Sequence, residues 1–145
     1  MKIRQLSKSD YGQWRELWDQ YLVFYKHQLP EAQTQLTFER LLDPQHGIYA
    51  LVIEQDSKVI AFSHSSFTHS TWSENQEIYL EDLYVDSQHR GLGAGRSLIE
   101  AVAKFGAEQG AKRMYWQTLK DNETAQRLYN TLADQTQIMI YEKNL

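Results

Sequence analysis

Apolar residues recur at a helical period between residues 11 and 25. Tyr11, Trp14, Leu17, Trp18, Tyr21, Leu22 and Tyr25 share one stripe, which predicts a long amphipathic helix with an aromatic face. Ser7 and Ser9 are its N-cap candidates, and the helix is expected to end before Pro30. Ahead of it, residues 2–6 alternate as a short strand with Ile3 and Gln5 on one face. A second helix is expected over residues 37–42. Asp43-Pro44 stops it, because the residue before a proline avoids helical backbone.

The period then changes from helical to alternating. Residues 48–54 and 59–68 read as strands joined by the turn-like Asp56-Ser57-Lys58. Polar residues 70–76 form a second turn into a third strand, 77–86. That strand is expected to carry Ile78, Leu80 and Tyr84 on one face and Tyr79, Leu83 and Val85 on the other. A strand apolar on both faces is central and covered by helices. Leu98, Ile99, Val102 and Phe105 then mark a helix, with Gly110 as its stop. Residues 113–118 form a strand, parallel to 77–86 through a right-handed crossover. Asp121 or Asn122 caps a further helix to about Leu132, and residues 137–141 are expected as a last strand. The order βαα-βββ-α-β-α-β describes an α+β (α/β) fold. A single mixed, mostly antiparallel sheet is flanked by helices, in one domain spanning residues 1–145.

Composition removes several classes of function. Nineteen acidic residues against fifteen basic ones give a formal charge of −4. A duplex nucleic-acid binder would carry a basic face; a mild negative field instead suits a cationic small substrate. Cysteine is absent, which excludes a disulfide scaffold, a thiolate zinc site and a cysteine nucleophile. The N-terminus lacks the apolar core of a signal peptide. The longest apolar run, Ile48 to Ile53, is far short of the roughly 20 residues of a membrane span. A cytoplasmic location and no membrane partner are therefore expected. His27, His46, His64, His69 and His89 show no metal-ligand spacing, so no metal is expected and each histidine is placed on the surface or in a loop.

The most informative stretch is Gln88-His89-Arg90-Gly91-Leu92-Gly93-Ala94-Gly95, directly after the central strand. Its glycines permit a sharp turn, and the following helix begins with unpaired N–H groups at the positive end of its dipole. Together they form a cradle for a phosphate or pyrophosphate, to which Arg90 and Arg96 can add charge. A dinucleotide fingerprint fails because Arg96 stands where its last glycine belongs, and no Walker-type Gly-Lys pair exists. The bland alternative is a tight strand-to-helix turn that binds nothing.

The context of the loop is more specific than the loop. Tyr79-Leu-Glu-Asp-Leu-Tyr-Val85 followed by Gln88-x-x-Gly91-x-Gly93-x-Gly95 resembles motif A of the GCN5-related N-acetyltransferases, and Asn122 with Leu128-Tyr129 fits their downstream pattern. The stretch 79–95 is similar to spermidine/spermine acetyltransferases. Residues 21–25, Leu128-Tyr129 and Ile140-Tyr141 look like the small Hpa2-type members. One departure is Leu132-Ala133-Asp134, where many members carry Gly-Phe. The resemblance implies acetyl-CoA as co-substrate and direct acetyl transfer to an amine. It places the pyrophosphate on Gln88, Arg90, Gly91, Leu92, Gly93, Ala94, Gly95 and Arg96. Pantetheine would pair with the backbone of Leu83, Tyr84 and Val85 and with Asn122, whose plainer role is a helix cap.

Without cysteine an acyl-enzyme on sulfur is impossible, so a ternary complex is expected. An alkylamine arrives protonated at neutral pH, and Glu81 is the candidate base. Adjacent strand residues point to opposite faces, so Glu81 and Asp82 share a side only if a bulge intervenes, as the resemblance implies. The alternative is a structural acid pair. The resemblance places Tyr129 beside the thioester sulfur as proton donor; otherwise it is a packing tyrosine. Most of the aromatic stripe is expected to be core. Tyr21, Phe24 and Tyr25, with Glu31, Glu81 and Asp82, are candidates to receive a cationic acceptor. The acceptor is expected to be a small amine such as a polyamine. Peptide or histone-type lysines, and a non-catalytic CoA-binding module, are the alternatives. The apolar last strand suggests a homodimer.

Overall fold

The computed structural model describes residues 1–145. β1 (Lys2–Gln5) leads through a 3-10 turn (Lys8–Asp10) into α1 (Tyr11–Phe24), followed by α2 (Glu31–Leu42). The meander is β2 (Ile48–Gln55), β3 (Lys58–Thr68) and β4 (Glu77–Val85). Then come α3 (Ala94–Glu108), β5 (Arg113–Trp116) and α4 (Glu123–Tyr129). The five strands form one sheet in the order β1-β2-β3-β4-β5. The first four run antiparallel, and β5 lies parallel to β4.

Helices cover both faces of the sheet. Trp14, Leu17 and Trp18 of α1 and Phe38 and Leu41 of α2 pack with Val52, Phe62 and Tyr84 on one face. On the other, Leu98, Ile99 and Val102 of α3 close over Ile53, Ala61, Ile78 and Leu80. Most of the aromatic stripe is thus core, as expected. The first strand is pinned to α1 by Arg4, which donates to Asp10 and Glu54. Those bonds hold the buried Asp10 carboxyl down at about 2.

α3 lies close against the sheet at Gly106. A β-carbon there would lie 2.7 Å from Ile78 Cγ2 and 3.3 Å from its Cβ. Overpacking of this kind costs about 1–3 kcal/mol, while alanine returns at most about 1 kcal/mol of helix propensity. Gly106→Ala is therefore expected to lower stability by about 1–2 kcal/mol in urea unfolding. A gain in stability would contradict this helix–sheet spacing.

Three expectations need correction. Residues 137–141 form no strand: the chain ends without regular structure after α4, and Ile138, Met139, Ile140 and Tyr141 remain 66–87% exposed. Apolar residues favour a strand only where a neighbour can pair and cover them, and this segment finds no partner within the chain. The order is accordingly βαα-βββ-α-β-α. Helix α2 starts six residues earlier than expected, with Pro30 at its N-cap and Glu31 as its first residue. Finally, His64 is not on the surface but buried in β3.

Candidate active site

The register of β3 against β4 slips at one place. His64 faces Asp82 and Ser65 faces Leu80, so Glu81 has no partner across the ladder. Glu81 is the extra residue of a β-bulge. The slip changes which residues share a face. Ile78, Leu80, Leu83 and Val85 all pack toward α3, whereas Tyr84 joins the α1 side. Strict alternation had put Tyr84 with Ile78 and Leu80. The bulge also lets both acids stand near the α1 side. Asp82 Oδ1 accepts from the Tyr21 hydroxyl at 2.6 Å, and the charges of both acids bear on Tyr21 and Tyr79.

β4 and β5 part at the same level. Their pairing ends at Leu80 with Trp116, while β4 continues to Val85. Residues 81–85 thus have no strand beside them on that edge. The Arg90 guanidinium lies by this opening. Its Nε donates to the Val85 carbonyl at 3.1 Å, and its charge sits 5.3 Å from the Tyr84 ring centre.

The glycine loop stands at the end of the opening. Gly91 and Gly93 have φ of +78° and +82°, backbone that side chains with a β-carbon resist. Gly93 is the N-cap of α3 and offers no side chain to cap it. The first-turn N–H groups at Ala94, Gly95 and Arg96 have no carbonyl within the helix to bond. At Gly95 a β-carbon would lie 3.4 Å from Leu128, so this residue brings α3 close to α4. Before the loop, Asp86 Oδ1 accepts from the Gln88 N–H at 3.1 Å and fixes the turn. Gln88, Arg90, Leu92 and Arg96 are exposed. Arg96 donates to Thr131 Oγ1 at 2.8 Å, tying α3 to the residues after α4.

α4 packs against the end of β5, where the two strands part. Asn122 caps this helix by accepting from the Ala125 N–H at 3.3 Å, which leaves its side-chain amide hydrogens unspent. Tyr129 is its last residue and packs edge-on to Trp116, centroids 5.4 Å apart. Burial, and to a lesser degree Tyr25, push the Tyr129 phenol above its ordinary value. It is protonated at neutral pH.

Tyr21, Phe24 and Tyr25 form an aromatic wall at the end of α1. Tyr21 and Tyr25 lie 4.8 Å apart, and Phe24 packs edge-on to Tyr25 at 5.1 Å. Phe24 and Tyr25 are half and one-third exposed. Glu31 stands apart from this group. Both its oxygens are taken by Arg15 at 2.6 Å.

Glu81 itself is accessible to solvent. The surrounding atoms partly desolvate its carboxyl, and neighbouring Asp82 repels its charge; both push its pKa above the usual carboxylate value. A raised pKa makes a carboxylate a better proton acceptor near neutral pH. A base works deprotonated, so activity should fall as pH drops through the Glu81 pKa. Asp82→Asn removes the like charge and lowers that pKa. The acidic limb of the kcat/KM profile is then expected to move to lower pH, and an unmoved or upward-moving limb would contradict the coupling.

A group outside the expected set joins the site. His64 and Trp14 form a buried chain with Asp82. The signal was present in the sequence: in an alternating strand, His64 lies two residues from Phe62 and so shares its core face.

Comparison with known proteins agrees with this geometry. The model of the family described as "Acetyltransferase (GNAT) family" matches residues 12–133. The chain is 32% identical over 144 residues to the D-amino-acid N-acetyltransferase HPA3 of Saccharomyces cerevisiae, covering 98% of this chain and 89% of that one. It is 29% identical over 143 residues to the mouse thialysine N-epsilon-acetyltransferase, covering 92% and 84%. Among solved structures, the aminoglycoside acetyltransferase AAC(6')-Iy in complex with a bisubstrate CoA analogue superposes with a TM-score of 0.84 at 22% identity. That match covers 99% of this chain and 98% of the other.

Proposed function

Since the chain belongs to the GNAT acetyltransferase family and is an N-acetyltransferase, we propose that it moves acetyl from acetyl-CoA directly to a small primary amine within a ternary complex. The observation that carries this reading is the coincidence of three features on one strand. The bulge at Glu81, the parting of β4 from β5 and the glycine turn into α3 follow one another within residues 80–95. The relatives support the chemistry: their names assign them amine acceptors that are D-amino acids or thialysine, and AAC(6')-Iy is described with CoA.

The residues present fit acetyl-CoA. The unpaired N–H groups at the start of α3, with Arg90 and Arg96, suit a pyrophosphate, and the open edge of Leu83, Tyr84 and Val85 suits an amide-bearing arm. Asn122 has amide hydrogens to offer the same arm. Bound acetyl-CoA supplies the acetyl thioester. Glu81, directly or through a water, takes the proton that the ammonium must lose before its nitrogen forms a bond to the acetyl carbon. A backbone N–H at Leu83 or its neighbour polarises the carbonyl. As the carbon–sulfur bond breaks, the Tyr129 hydroxyl protonates the sulfur and is reprotonated by the second proton that the nitrogen sheds, which leaves the amide and a free thiol. Asp82 and the wall of Tyr21, Phe24 and Tyr25 hold a cation carried on an aliphatic arm. Those features favour a small amine such as a polyamine.

Initial rates measured against both substrates test the ternary complex. Intersecting reciprocal plots are expected; parallel lines would indicate a covalent acetyl-enzyme and overturn direct transfer. We further read the exposed Ile138–Tyr141 run, near the free outer edge of β5, as the contact of a homodimer. Light scattering should then return twice the 17.1 kDa of one chain; a single chain at micromolar concentration would contradict it.

A further inference from the structure

Behind Asp82 runs a chain of hydrogen bonds with no outlet to solvent. The His64 ring lies between β3 and α1, 5% exposed, and stacks on Phe62 with centroids 4.6 Å apart. One ring nitrogen, Nε2, lies 3.0 Å from Trp14 Nε1. An indole nitrogen only donates, so Nε2 must be the bare, accepting nitrogen. The proton of the neutral ring then sits on Nδ1, which donates to Asp82 Oδ2 at 2.9 Å. The other Asp82 oxygen accepts from the Tyr21 hydroxyl at 2.6 Å. Tyr21 directly, and Trp14 through His64, thus fix both oxygens of the Asp82 carboxylate. An indole cannot accept a proton, so the chain does not conduct one away from the site. It can only orient.

We propose that His64 is a positioning residue of the transfer site: locked by Trp14 into the Nδ1–H tautomer, it holds Asp82 in place beside the bulge as a fixed anion, and leaves Glu81 as the acid free to exchange a proton. Asp82 has both oxygens engaged by donors, whereas Glu81, the residue without a ladder partner, is solvent-exposed. The two adjacent acids are thereby assigned different work. Asp82 holds the ammonium of the acceptor, and Glu81 takes its proton. The groups that face His64 are Asp82 from β4, Trp14 and Trp18 from α1, and Phe62 on its own strand. Tyr21 from α1 holds the other Asp82 oxygen, and Glu81 is the next acid on β4. α2 contributes Thr34, Phe38 and Leu41 to this core, none of which carries a charge.

This inference rests on the reading of Glu81 as base, and its test separates the two. Nitrogen-15 spectra of histidine-labelled enzyme, with the His64 signal assigned by its loss in His64→Asn, report the tautomer without any need for turnover. The expected wild-type signal has a protonated Nδ1 and a bare Nε2. In Trp14→Phe the ring should become a mixture of tautomers. A proton on Nε2 in the wild type, or an unchanged signal in Trp14→Phe, overturns the lock. Kinetics supply the second arm. His64→Phe removes the donor to Asp82, and loss of orientation is expected to lower kcat/KM for the amine by about ten- to a hundredfold. His64→Asn keeps an N–H near Nδ1 and should recover most of that loss, while KM for acetyl-CoA stays put in both. Equal rates in the two variants, whether fast or slow, overturn the positioning role. A wild-type rate in Glu81→Gln beside a slow His64→Phe would remove the base reading and leave the placement of Asp82 standing.

Discussion

Glu81→Gln is expected to lower kcat by about ten- to a thousandfold while leaving the affinity for acetyl-CoA nearly unchanged. The amide keeps the size of the side chain and its place at the bulge but cannot take a proton. The side chain is exposed and the sheet bonds of β4 are made by backbone groups, so stability should hold. The loss should be largest near neutral pH, where almost all of an alkylamine acceptor is protonated. It should shrink toward the amine's own pKa, where free amine needs no base. A constant loss across that range would point to an orienting role for Glu81 instead.

Tyr129→Phe carries the second large effect. The ring packs on Trp116, and phenylalanine preserves that contact, so unfolding should change little. The hydroxyl is what the variant removes. Burial keeps this phenol protonated at neutral pH, so it is a donor throughout the working range. A loss of about ten- to a thousandfold in kcat is expected, with acetyl-CoA binding held. An acetyl donor with a more acidic thiol leaving group needs less help and should lose less. A loss that ignores the leaving group, or no loss, would remove Tyr129 as the donor to sulfur.

The sheet, its central strand and the glycine turn were legible in the sequence because each rests on local pattern. The Gly91 and Gly93 spacing proved to be a positive-φ turn because few other residues adopt that backbone. Where the reading failed, a longer-range contact decided. Alternation put Tyr84 with Ile78 and Leu80, and one extra residue at Glu81 reversed that. The bulge was expected from the resemblance alone, since nothing in the local pattern of β4 marks it. The start of α2 was hidden by polar Gln33 and Gln35. Thr34, Phe38 and Leu41 mark its buried face, and Thr34 does not look like core until Trp18 is seen donating to it. The residues 137–141 failed for the opposite reason: their apolar pattern is strong, but no strand lies beside them in this chain. His64 lay in plain view on a core face, and only the folded neighbours Trp14 and Asp82 show what a histidine does there. Glu31 likewise looked available until Arg15 was found on both its oxygens.

The most direct measurement follows thiol release from acetyl-CoA with a chromogenic disulfide, against a panel of amines. The chain has no cysteine, so the protein adds nothing to the signal. The panel should contain spermidine, spermine, simple diamines, D- and L-amino acids, thialysine, an aminoglycoside and a histone-tail peptide. The account predicts amine-dependent release, fastest with a small primary amine, and its loss in Glu81→Gln. No release with any of these amines, together with no binding of acetyl-CoA, would contradict it.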